Sequence, residues 1–194
     1  MDPGGHAGSS LVDVNAVQLH FATIIPMLVD MAKRHMQACA VAGFLNIFGD
    51  GWTWLIIREA FYGATRFSEF QRNTGIARNL LSQRLSMLVD EGILRREDVG
   101  ERGPRYEYRM TPKGETLFPV LVTMIQWSNE HVFGAGHEPI RLLERKSMKQ
   151  LKKVGPTTAR GRVLHWPDVV AQPGPGADKA ARMRILESPQ GIDD

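Results

Sequence analysis

Cysteine is nearly absent from this 194-residue chain, with Cys39 standing alone. A single thiol excludes an internal disulfide and gives no sign of an oxidising compartment. No apolar run approaches the roughly 18–20 residues that span a bilayer. The most hydrophobic early stretch, 11–32, is broken by Asp13, Asn15, Gln18, His20, Pro26 and Asp30. It reads as neither a membrane span nor a signal peptide, so a cytoplasmic protein without membrane contact is expected. A large excess of one charge is missing too, since the formal net charge is only +3. The chain also has no glycine-rich phosphate loop and no His-Glu-x-x-His. His131 and His137 flank a glycine loop next to Glu138. Two histidines do not make a metal site, which needs three or four converging ligands. No enzyme, cofactor or metal is therefore expected.

The charge that is present is unevenly placed. Residues 50–115 hold 11 Lys/Arg against 10 Asp/Glu, whereas residues 141–194 hold 11 against 6. Such asymmetry permits an anionic partner without proving one. Hydrophobic residues make up 43% of the chain, enough for a packed core.

The pattern along the chain is mostly helical. After a Gly/Ser/Pro-rich start, Val14, Val17, Phe21, Ile24, Leu28 and Met31 alternate by threes and fours, the seam of a coiled coil or a packed helix pair, either within the domain or in a dimer. Pro26 makes this either one kinked helix or two. Apolar helices are expected at 36–48, containing Cys39, and at 52–62, capped by Asp50. A short helix at 67–73 and a turn through Gly75 precede the stretch around which the chain is organised, residues 76–92. There Leu81, Leu85 and Leu88 form an apolar stripe. Asn79, Gln83 and Ser86 fall on the opposite side, flanked by Arg78, Ser82 and Arg84. No acid occurs in this helix before Asp90, and Gly92 fits a left-handed cap.

Two short helices joined by a glycine turn form a helix-turn-helix. Residues 93–98 and 106–110 read as the strands of a hairpin, with Arg102 and Arg105 near its tip. Thr111 and Pro112 open a further helix, apolar nearly all round, which suggests a subunit interface. The basic run Arg141, Arg145, Lys146, Lys149, Lys152 and Lys153 reads as a solvated helix face. Residues 155–194 are rich in Gly and Pro, with little core of their own. The expected architecture is mostly α with a small β-hairpin wing. It divides into an N-terminal tail and helix (1–34), a winged helix-turn-helix domain (35–133) and an irregular basic C-terminal extension (134–194).

The stretch from Cys39 to about Phe133 resembles the HxlR-type winged helix-turn-helix transcription regulators, relatives of the MarR group. The resemblance rests on Phe48-Gly49-Asp50-Gly51-Trp52, Arg66-Phe67-Ser68-Glu69-Phe70 and Leu81-Ser82-Gln83-Arg84-Leu85. It continues through Glu91-Gly92-Ile93-Leu94 and Tyr106-Glu107-Tyr108-Arg109-Met110-Thr111-Pro112-Lys113-Gly114. It implies a homodimeric regulator, a repressor on an inverted-repeat operator, that binds double-stranded DNA through helix 76–92 and the wing 99–105. The candidate DNA-binding residues are Arg66, Arg78, Asn79, Ser82, Gln83, Arg84, Ser86, Arg102 and Arg105. Amides and hydroxyls suit base edges, and arginines suit phosphates.

Ala77 departs from the family, which has Ser or Thr there, and an alanine cannot cap the helix. The tail around Asp168 to Ala177 is similar to the end of a longer tail that carries a zinc ribbon in some relatives. Here it has no cysteine to hold one. Family members with a cysteine near position 39 include sensors of electrophiles or oxidants, so Cys39 is either such a sensor or a small core residue. That leaves room for a small-molecule or electrophile effector. The near-neutral charge of 50–115 leaves a second reading open, a winged helix that binds protein without specific DNA binding.

Overall fold

A computed structural model describes residues 35 and 37–188, and the seam from Val14 to Met31 lies outside the described residues. Helix α1 (Ala40–Phe48) starts four residues later than its sequence suggests, with Cys39 as its extended N-cap rather than inside it. Helix α2 (Gly51–Phe61) is capped as expected, with Asp50 accepting from the Thr53 amide at 3.0 Å and the Thr53 hydroxyl at 2.6 Å. Helix α3 (Phe67–Thr74) begins where the Glu69 carboxylate accepts from the Thr65 and Arg66 amides, both at 2.9 Å. Those two amides hold the Glu69 carboxyl below the usual range.

Helix α4 (Arg78–Asp90) follows across a three-residue turn. Gly75 takes φ +72° there, a conformation that suits glycine, and buried Ile76 anchors the turn in the core. Leu81, Leu85 and Leu88 are fully buried and pack with Phe48, Ile56, Ile57, Phe70, Ile93 and Leu94. The stripe read from the sequence is thus the face that holds α4 in place. Burying side chains of this size is worth about 1.5–3 kcal/mol each.

Strands β1 (Leu94–Asp98) and β2 (Tyr106–Met110) pair antiparallel, Leu94 opposite Met110 and Asp98 opposite Tyr106. The alternation is borne out only in part. Tyr108 and Met110 pack against the core, but Tyr106 is exposed and Glu107 is buried. Glu107 is covered by its own ion partners, Arg66 and Arg109.

The wing returns to the body through the Thr-Pro-Lys-Gly segment. The Thr111 hydroxyl donates to the Gly92 carbonyl at 2.6 Å and accepts from the Gly114 amide at 3.0 Å. A Cβ on Gly114 would lie 2.2 Å from the Ile93 carbonyl oxygen, so the close approach requires glycine.

The single helix expected after Thr111 is broken in two. Helix α5 (Pro112–Glu115) is one turn, and α6 (Phe118–Ser128) starts afresh with Pro119 in its first turn. Proline has no N–H to donate back into the preceding turn, so continuous helix cannot run through it. A π-helical turn, Asn129–Phe133, extends α6 to Gly134. The basic run at 141–153 is not helical. It folds back on itself, with an antiparallel bridge between Leu143 and Gln150. Helix α7 (Lys179–Leu186) ends the described chain and buries only Ala181.

Candidate nucleic-acid interface

With its leucines inward, α4 turns Arg78, Asn79, Ser82, Gln83 and Ser86 to solvent, all exposed. Its first turn carries no acid, and Ala77 supplies no side-chain cap. The free amides and the positive end of the helix dipole therefore stay open toward an anion. The Arg78 guanidinium sits 5.3 Å from the centre of the Phe67 ring, at the junction of α3 and α4. That contact orients the charge without neutralising it.

Arg84 is not brought to this face. Its Nε lies 3.3 Å from Asp50 Oδ2, its side chain is 30% exposed, and Nε makes no hydrogen bond of good geometry. Asp50 already caps α2, so Arg84 ties the exposed helix to the start of α2. The sequence pattern put Arg84 at the margin of the outer face, and its partner comes from a segment 34 positions away that periodicity cannot reveal. Arg66 is also partly engaged, its Nε 3.6 Å from Glu107 Oε1, though it stays half exposed.

The wing presents its own cations. Arg102 and Arg105 are exposed near the tip, and among the described residues neither takes part in an ion pair. The loop that carries them is shaped by Asp98, whose Oδ1 accepts from the Arg105 and Gly100 amides at 3.0 Å each. Those bonds hold the Asp98 carboxyl below its ordinary value.

One face of the hairpin is self-neutralised. Glu97 meets Arg95 at 2.6 Å and Arg109 at 3.2 Å, and Arg109 also meets Glu107 at 2.8 Å. On the other face Arg96 stacks over Tyr106 at 4.5 Å. This exposed cation is missed by reading the sequence, because the stack depends on strand register. The free positive charge on the wing is therefore Arg96, Arg102 and Arg105.

Cys39 is half-buried at the N-terminus of α1. Backbone amides of Ala42 and Val41, without a complete cap hydrogen bond, and then Arg184 from α7 hold its thiol below the usual cysteine range. His131 lies 3.9 Å from Glu130 and against the Trp127 ring. Among the described residues no three His, Cys, Asp or Glu side chains converge on a metal position. No single helix among them is long and apolar enough to cross a membrane.

A second exposed surface is apolar. Val120, Met124 and Trp127 recur at i, i+4 and i+7 on α6 and are 37%, 41% and 58% exposed. Only Leu121 and Val122 of that helix are buried.

Comparison with known proteins matches residues 47–134 to the HxlR-like helix-turn-helix family. An HTH-type transcriptional regulator of Mycobacterium tuberculosis (strain ATCC 25618 / H37Rv) is 35% identical over 150 residues, 77% of this chain and 95% of that protein. Crystallised PA1607, described as a candidate transcription factor, is 39% identical with a TM-score of 0.66, covering 71% of this chain and 96% of its own. A second candidate transcription factor, PA1374 of Pseudomonas aeruginosa, is 36% identical with a TM-score of 0.55, covering 75% and 99%. The 150 aligned residues exceed the span 47–134, so the likeness runs beyond the winged helix itself.

Proposed function

The chain belongs to the HxlR-like helix-turn-helix family of transcriptional regulators, and from that premise we propose that it acts as a homodimeric repressor. In this reading each protomer lays α4 in a major groove, with Asn79 and Gln83 bonding base edges and Ser82 and Ser86 assisting. Arg78, Arg102 and Arg105 hold phosphates on either side, and Arg66 adds to them with the part of its charge that Glu107 leaves free. The carrying observation is the outer face of α4, exposed, acid-free up to Asp90 and built from amides, hydroxyls and Arg78. Amides and hydroxyls on one exposed face match the donors and acceptors of base edges, which a protein partner would not require.

The dimer is supported by the Val120–Met124–Trp127 stripe, apolar surface that a second copy would cover. Two-fold symmetry then makes the operator an inverted repeat with half-sites about 34 Å apart, or a multiple of that. A repressor so seated upstream of its own gene would exclude polymerase from that promoter.

A gel shift followed by a footprint on DNA upstream of the gene tests this reading. Two symmetric protected blocks and higher transcription when the gene is deleted support it. A protein that leaves that DNA unshifted at low salt would leave the protein-binding account in its place.

A further inference from the structure

The run 141–153 carries six Lys or Arg and one acid, Glu144, a far denser charge than the winged helix has. The chain shapes it as a short hairpin. The Glu144 amide donates to the Lys149 carbonyl at 2.8 Å, and the Leu151 amide to the Leu142 carbonyl at 3.0 Å. Met148, at φ +53°, closes the turn, and the Ser147 hydroxyl donates to Glu144, occupying the only acid. Arg145 and Lys146 stand at the tip, with Lys149 on the returning arm. Arg141 and Lys152, opposite each other in this register, stand at the base on one face. All five are exposed, and among the described residues none joins an ion pair.

The hairpin is mounted, not loose. Gln126 on α6 donates to the Lys152 carbonyl at 2.9 Å and accepts from the Val154 amide at 2.8 Å. Asn129 donates to the Ile140 carbonyl at 2.8 Å, and Lys153 pairs with Glu130. The backbone that carries the cations is therefore held in place, so binding need order only their side chains.

We propose that this hairpin is a second DNA-contacting surface, gripping phosphates outside the base-reading contact of α4. It rests on the DNA-binding reading above and adds sequence-independent affinity to it. The occupant is duplex DNA, whose closely spaced phosphates complement five exposed cations, unpaired among the described residues, beside a single acid that is already hydrogen-bonded. Each phosphate neutralised releases counterions and steepens the salt dependence of binding.

The test is a salt titration on a duplex of arbitrary sequence. It uses the full chain, the triple variant Arg145→Ala, Lys146→Ala, Lys149→Ala, and the charge-keeping variant Arg145→Lys, Lys146→Arg, Lys149→Arg. The triple variant should lower the log–log slope by about two to three units, at about 0.9 per phosphate. The charge-keeping variant should match wild type. A triple variant with the wild-type slope overturns the hairpin's role, and so does a charge-keeping variant that fails equally, since that makes the loss structural. Arg102→Ala with Arg105→Ala, measured alongside, separates the two claims. If the wing variant loses slope and the hairpin variant does not, only this inference falls. If wild type shows no salt-dependent binding, the DNA-binding reading falls with it.

Discussion

Helices α4 and α6 have similar lengths, 13 and 11 residues, and leave opposite chemistry outside. In α4 the leucines at 81, 85 and 88 are spent on the core, and what faces out is Arg78, Asn79, Ser82, Gln83 and Ser86. In α6 the core takes Leu121 and Val122, and what faces out is still apolar. Water solvates the first face well and the second poorly. The first is therefore suited to a polar partner that replaces water with hydrogen bonds. The second calls for a partner that removes it from water. In the function proposed above, these two faces serve different partners: DNA for α4 and a second copy of the chain for α6.

The sharpest way to break this contrast is to make the outer face of α6 polar. Met124→Asp with Trp127→Asp should convert a dimer to monomers at micromolar concentration in sedimentation. With one half-site per molecule, operator affinity should fall by about 100-fold or more. A wild-type chain that sediments as a monomer would undo the contrast at once.

A smaller change sharpens the α4 side. Ala77→Ser adds a cap to a helix start that has none, and should raise stability by about 1 kcal/mol in denaturant titration. No gain would mean that something already satisfies those amides. Smaller again, Arg84→Ala removes a partly exposed ion pair with Asp50 and should cost up to about 1 kcal/mol of stability. Its salt slope on random DNA should stay at the wild-type value. A flatter slope would put Arg84 back on phosphate.

Much of this was legible in the sequence for a physical reason. Helix periodicity reports burial, so Leu81, Leu85 and Leu88 named the inner face of α4 and its polar residues named the outer one. Asp50, Gly75, Gly92, Thr111 and Pro112 act within a few positions of themselves, and their caps and turns were readable locally. What escaped depends on distant pairing. Arg84 meets Asp50, Arg66 meets Glu107, and Arg96 stacks on Tyr106 only after helices and strands are in register. The break before α6 falls beside Pro119, which the continuous apolar pattern of 117–127 does not show. The hairpin at 141–153 is invisible to charge spacing, because its turn is held by Gln126 from another element.

The central claim is that α4 reads bases through Asn79 and Gln83. It is tested most directly by measuring the double variant Asn79→Ala, Gln83→Ala on operator and on random duplex at equal salt. The account predicts that each alanine costs about 1–3 kcal/mol on the operator and almost nothing on random DNA, so that the ratio of the two affinities collapses. A double variant that keeps the wild-type ratio would contradict it and leave the exposed face of α4 without a reader's role.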